Sequence, residues 1–278
     1  MQLQAMKLCV PLSDAFRIRQ DALLPIVNAI SFKRPGPELF RGKTHFLECS
    51  YNIADPDLPT ALERSGFLTA LKSGKYTSFA CDIGPNCEFV AVYTANGLPR
   101  SAPASSLVSD EEYLERCARN AEWLRGHFSG YIQLENLNYF PTGAYEHVCE
   151  PAFVHRIVEF TRIPLLLDVG HAMVSAHYMG YREPMDYIRE LPLKGIREVQ
   201  LSRAGMLNGI FEDLHEPPGE SELAIVEALT ALGAPIQYLT VEYYRDAATL
   251  LQVYQSLAKR VTEDGVRTEI VTIHDERF

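Results

Sequence analysis

The feature that most constrains this chain is an alternation. Short apolar or β-branched runs recur along it, and most are followed by a polar turn and a segment with helical periodicity, the pattern of parallel βα units. Eight strands are expected at Lys7–Leu12, Ala29–Lys33, Thr44–Cys49, Thr77–Ile83, Tyr131–Leu137, Ile163–Val169, Glu198–Ser202 and Gln237–Tyr243. Helices are expected over Asp21–Asn28, Leu58–Lys72, Asp110–Phe128, Glu150–Phe160, Pro184–Leu191, Ser221–Leu232 and Ala247–Lys259. Eight strands in 278 residues suit a single (β/α)8 TIM barrel spanning 1–278, since that fold typically needs roughly 250 residues. One irregularity stands out. The segment Arg34–Lys43 between the second and third strands carries two prolines and is too short for a crossover helix.

Composition narrows the function classes. A net charge of −10 argues against a surface that tracks nucleic-acid phosphates. No uncharged run approaches the ~18 residues of a membrane span, and Met1 to Phe16 lacks a basic flank with a long apolar core, so a cytoplasmic protein is expected. Cys9, Cys49, Cys81, Cys87, Cys117 and Cys149 are scattered without a CxxC pair, which favours buried free thiols over zinc knuckles or disulfides.

In a barrel of this kind the carboxyl ends of the strands carry the active site. Taken in order, the polar tips are His45, Asp82, Glu135, Asp168 with His171, Gln200, Asp213 with His215, and Glu242. Oxygen and imidazole donors suit Fe, Mn or Zn, and more than four ligands imply more than one ion. Each residue has a plainer reading by itself: Glu135 as half of an ion pair, Asp168 as a helix cap beside a packing histidine, and Asp213-Leu-His215 as a solvated stretch in a loop rich in Glu and Pro. Their joint occurrence in barrel order favours a site. His177, after the sixth strand, is a candidate for facing substrate. His127, His147, His155 and His274 read as surface or packing residues.

Two resemblances bear on these residues. The order Glu, Asp-x-x-His, a polar strand-seven residue, Asp-x-His and a late Glu resembles the metal-ligand order of the xylose-isomerase-like barrels, including endonuclease IV. Leu134-Glu-Asn-Leu-Asn-Tyr139 and the segment from Leu165 to Gly180 are similar to signature segments of the multinuclear non-haem iron-dependent oxidative enzymes, the family of the methanobactin-forming oxygenase. That likeness implies metal-binding roles for Glu135, Asp168, Asp213, His215 and Glu242, and for His45 as the early strand-end His. It also implies two or three iron ions, a peptide or small thiol-containing substrate that is oxidised with dioxygen, and a separate peptide-recognition partner protein. Asn136 and Arg203 become candidates for orienting substrate. The chain departs from the family at Gly170, where Asn is usual, at Gln200, where His is usual, and on strand four, where Asp82 or Ile83 stands for a His; His171 is a candidate replacement ligand. Two rival expectations remain open. One is a divalent-metal sugar isomerase or epimerase with Glu135 and Glu242 as its catalytic acid/base pair, and the other is a degenerate barrel that binds peptide without catalysis.

Overall fold

The barrel strands are largely buried, as expected where both faces of a parallel strand are covered. Strand β6 shows the rule: Leu165–Asp168 is buried throughout and delivers one carboxylate at its end. The computed structural model describes residues 6–266, with side chains through 261. His274 lies outside the described residues.

Strands β1 (Lys7–Pro11), β2 (Ala29–Phe32), β3 (Thr44–Asn52), β4 (Ser78–Asp82), β5 (Tyr131–Glu135), β6, β7 (Glu198–Leu201) and β8 (Tyr238–Val241) pair in parallel, in sequence order, and close into a barrel as β8 pairs with β1. All eight expected strands are present, with ends shifted by a few residues. The expected helices over 110–128, 150–160, 184–191, 221–232 and 247–259 appear as Asp110–His127, Pro151–Thr161, Pro184–Arg189, Glu220–Ala231 and Ala247–Val266. The expected helix over 58–72 is two, Leu58–Arg64 and Phe67–Lys72, broken at Gly66 with its positive φ of 81°. The first expected helix lies earlier and shorter, as Asp14–Ile18 and Gln20–Leu23. No helix forms between β2 and β3, as its length and prolines required.

Three elements were not anticipated. Helix Val169–Tyr178 starts directly at the end of β6, capped by Asp168, whose side chain accepts from the His171 N–H. Two antiparallel hairpins rise from the carboxyl side of the barrel, Val90–Ala95 with Leu98–Pro103 and Arg203–Leu207 with Ile210–Glu216. Their turns, Asn96-Gly97 and Asn208-Gly209, have positive φ at both residues, as type I′ turns demand.

The main apolar core lies between the strands and the surrounding helices. The barrel interior is more polar than is usual. Glu198 accepts from Gln133 Nε2 at 2.9 Å and from Thr240 Oγ1 at 2.6 Å, next to a small apolar plug of Cys9, Ala29 and Phe46. All six cysteines are buried and free. Among the described residues no helix is long and apolar enough to cross a membrane.

Candidate metal centre at the barrel mouth

Strand polarity brings together residues that are far apart in sequence. Asp82 ends β4 in register with Glu135 at the end of β5, and Asp168 ends β6 in register with Gln200 on β7. His171, one turn into the helix that follows β6, reaches back so that ligand atoms of Glu135, Asp168 and His171 all lie within 4.8 Å of one another. The group continues through the second hairpin. His171 Nε2 is 3.7 Å from Asp213 Oδ2, His215 Nδ1 is 3.2 Å from the same oxygen, and His215 Nε2 is 3.3 Å from Glu242 Oε2.

The supports of this arrangement are as specific as its members. Asn136 donates through Nδ2 to the Asp168 carbonyl at 3.0 Å and accepts the Asp168 N–H at 2.9 Å, which fixes the strand end. The Asn136 carbonyl lies 2.8 Å from His171 Nδ1. A carbonyl can only accept, so Nδ1 carries a proton and Nε2 is the nitrogen turned toward Asp213. Ser202 Oγ donates to Asp213 Oδ1 at 2.6 Å. That contact fits only because residue 170 is glycine: a Cβ there would lie 2.2 Å from Ser202 Oγ and 2.9 Å from Asp213 Oδ1. On the hairpin, a register shift between Arg203 and Ala204 forms a bulge opposite, and His215 adopts φ +46°. Bulges re-aim side chains, and strained non-glycine backbone concentrates at functional positions.

The electrostatics describe a group of acids in need of a cation. Burial pushes the Asp168 carboxyl up to about 7, helped by Asp213 and Glu242 and opposed by His171. Burial and Glu48 raise Asp82 to about 7 and hold Glu135 well above the ordinary carboxylate range. The hydrogen bond to Glu242 raises His215 to about 9, against burial and with help from Asp213. Among the described residues, the buried oxygens Asp168 Oδ2, Asp213 Oδ2 and Gln200 Oε1 have no hydrogen-bond partner. Buried polar atoms are nearly always paired, so two carboxylate oxygens without a hydrogen bond in a group that includes the His171 imidazole fit a metal ion, and the oxygen and nitrogen donors suit a first-row transition metal.

Several expected site residues lie elsewhere. His45 is the second residue of β3, not its end; its ring sits in the outer layer against Phe32 and Phe40, and Nε2 accepts the Phe40 N–H at 3.0 Å. The strand runs on, and Glu48, on the opposite parity, points into the mouth. His177 is exposed and stacks on Phe211, with centroids 4.6 Å apart. Arg203 is exposed beside Gly219. Asn136 is buried, and its side chain bonds the backbone of Asp168 through both its nitrogen and its oxygen. Ile83 is fully buried in the apolar core, so of the two strand-four candidates only Asp82 sits with the acids. Gln200 is in the mouth, where its Nε2 donates to Glu48 Oε2 at 2.8 Å.

Four participants were not anticipated: Glu48, Lys33, Tyr244 and Ser202. The Lys33 ammonium contacts both Glu48 Oε1 and Glu242 Oε1, and Tyr244 O–H donates to Glu242 Oε1 at 2.8 Å. Glu48 stands next to the end of its expected strand, so the strand-tip criterion that selected Glu135 would also have found it.

A cleft of about 330 Å³ opens beside His171, walled by Val92, Arg100, Leu137, Phe140 and Tyr145. Arg100 belongs to the first hairpin. It lies over the Phe140 ring at 4.1 Å and pairs with Glu212, the neighbour of Asp213, so each hairpin braces the other above the acids.

Comparison with known proteins agrees with this fold. The sequence profile of the family described as RiPP precursor modification enzyme MbnB/TglH/ChrH matches residues 102–259, more than half of the chain. No curated protein sequence matches significantly. Among solved structures, a D-tagatose 3-epimerase-like protein is similar at a TM-score of 0.65 with 13% identity, covering 95% of this chain and 100% of that one. The probable 3-DHS dehydratase AsbF from Bacillus anthracis matches at 0.58 with 13% identity over 92% and 99%, and endonuclease IV from Thermus thermophilus at 0.56 with 14% identity over 90% and 98%. At such identities the likeness is one of fold, the xylose-isomerase-like TIM barrel.

Proposed function

The chain belongs to the family of RiPP precursor modification enzymes MbnB/TglH/ChrH, and from that premise we propose that it is a metal-dependent oxidative enzyme acting on a peptide or small thiol-containing substrate at the barrel mouth. The single observation that carries the reading is the buried group of Glu135, Asp168 and His171, whose ligand atoms lie within 4.8 Å of one another, with Asp213 Oδ2 3.7 Å from His171 Nε2 and an open cleft alongside.

Glu135, Asp168, His171, Asp213 and His215 would hold the metal, with Glu242 beside His215. Iron bound there would supply redox chemistry toward dioxygen and a coordination position for a substrate sulfur or oxygen. The chain's own residues do the rest. Asn136 fixes the tautomer of His171 and the backbone of Asp168, the kind of outer support that tunes a ligand's orientation and basicity. Ser202 orients Asp213 so that its second oxygen faces His171 and His215. The cleft wall of Val92, Phe140 and Tyr145 offers apolar and aromatic contact to a substrate side chain and excludes water from the acids. On the first hairpin, Phe89, Val92 and Tyr93 are exposed apolar residues at or beside a short two-stranded edge, which is suited to an extended peptide. A peptide-recognition partner of the kind the family uses is part of the same proposal.

The test is reconstitution with ferrous iron under anaerobic conditions, followed by oxygen uptake with Cys-containing peptides and with candidate ketose sugars. Peptide-dependent uptake with a matching peptide mass change is the expected result. Sugar isomerisation without oxygen, and no peptide mass change, would replace this reading with that of a divalent-metal isomerase.

A further inference from the structure

The mouth has two unlike ends. Around Asp168, His171 and Asp213, Asp168 Oδ2 has no hydrogen-bond partner and Asp213 Oδ2 meets only imidazole nitrogens, His215 Nδ1 at 3.2 Å and His171 Nε2 at 3.7 Å. Around Glu48 and Glu242 every carboxylate oxygen is taken: Glu48 Oε1 by Lys33, Glu48 Oε2 by Gln200 Nε2, Glu242 Oε1 by Lys33 and Tyr244, and Glu242 Oε2 by His215 Nε2. Lys33 stands at the start of the helix-free connection after β2, and its side chain, 39% exposed, brings the ammonium onto two glutamates that are almost wholly buried. Two such carboxylates facing each other repel strongly in a low dielectric unless a cation lies between them. Here that cation is a covalent part of the chain.

We infer that Lys33 is a resident cation that fills one cation position of the mouth, between Glu48 and Glu242, and so confines metal to the Glu135–Asp168–His171–Asp213–His215 end. This rests on the metal-dependent reading proposed above and deepens it, because it fixes which end of the mouth is loaded. Charge supports it. The acids Glu48, Asp82, Glu135, Asp168, Asp213 and Glu242 are six, and Lys33 offsets one of them. Removing the lysine returns that charge, together with the two oxygens that the ammonium occupies, to any ion that can enter. An ammonium donates to oxygen but offers no open coordination position, so the Lys33 end holds Glu48 and Glu242 in place without chemistry of its own.

The test is metal stoichiometry, which does not depend on turnover. Wild type, Lys33→Ala and Lys33→Arg, each verified as folded by circular dichroism, are loaded with ferrous iron without oxygen, desalted, and measured by elemental analysis. Lys33→Ala should bind one ion per chain more than wild type, with the added anomalous peak between Glu48 and Glu242; Lys33→Arg should match wild type. Equal counts in wild type and Lys33→Ala, or a wild-type ion between Glu48 and Glu242, would overturn the inference while leaving the metal site standing. Absence of metal from wild type would overturn the metal-dependent reading itself. Glu48→Gln gives a second route that leaves the lysine in place. It should keep the wild-type count, because Glu48 holds Lys33 and no metal, and loss of an ion in that variant would refute the assignment.

Discussion

Gly170→Ala tests how tightly the site is built, because the change adds one methyl group and no charge. The new Cβ would sit 2.2 Å from Ser202 Oγ, 2.9 Å from Asp213 Oδ1 and 3.0 Å from Asp213 Cγ. Ordinary contact begins near 3.4 Å, so Ser202 must retreat by about 1.2 Å or rotate away. The buried Ser202–Asp213 hydrogen bond is only 2.6 Å long and cannot absorb such a movement. Overpacking of this size costs about 1–3 kcal/mol. Loss of a hydrogen bond to a buried carboxylate costs about 1.5–3 kcal/mol if Asp213 is left unpaired. At about 2–4 °C per kcal/mol for a chain somewhat smaller than this one, the midpoint of thermal unfolding should fall by several degrees. Metal affinity should fall as well, since Asp213 turns with its serine. The assay is thermal unfolding of the metal-free protein together with titration of ferrous or zinc ion. A midpoint within one degree of wild type and an unchanged metal affinity would refute the argument.

Other outcomes follow from the same geometry. Asp168→Ala and His215→Ala should each lower bound metal markedly, whereas His127→Ala, whose ring stacks on Trp123 and bonds its carbonyl, should not; equal metal content in all three would remove the strand-tip assignment. Glu198 is raised by burial from 4.5 to about 7, so the folded protein holds its proton more tightly than the unfolded chain does. Its contribution is fully present below about pH 4.5 and is lost as pH rises through about 7, so Glu198→Gln should flatten the fall in stability across that window in urea melts; an unchanged slope would contradict the assignment. Arg100→Ala removes the brace between the hairpins and should lower stability by about 1–3 kcal/mol with weaker metal retention, since Glu212 loses its charged partner beside Asp213. Metal retention equal to wild type would show that the first hairpin does not support the site.

Much of the barrel was legible because parallel strands buried on both faces read as unbroken apolar runs, and a carboxylate ending such a run has few other places to go. Glu135, Asp168 and Glu242 were found on that logic, and the structure places all three at one mouth. The failure at β3 was one of parity. His45 and Glu48 differ by three positions and therefore face opposite sides of the sheet, and the strand continues to Asn52, well past the end expected at Cys49. The hairpins were missed although Asn96-Gly97 and Asn208-Gly209 spell the turn that favours them. Their flanking strands are largely exposed and lack clean alternation, which hid the signal. Asp213 and His215 therefore belong to a hairpin strand and not to the solvated loop that their Glu- and Pro-rich surroundings implied. Lys33 escaped for a different reason. A lysine at a strand end reads as a solvent-facing cap, and nothing local reveals that two glutamates from β3 and the end of β8 await it.

The central claim, a metal centre built on Asp168, His171 and Asp213, is tested most directly by anomalous diffraction at the iron edge. Crystals of protein purified without chelator or oxygen and loaded with ferrous iron should show a peak within bonding distance of Asp168 or Asp213 Oδ2 and of His171 Nε2, and no such peak in Asp168→Ala. A wild-type crystal with no anomalous peak in the barrel mouth, or with iron bound only at surface histidines such as His147 and His155, would contradict it.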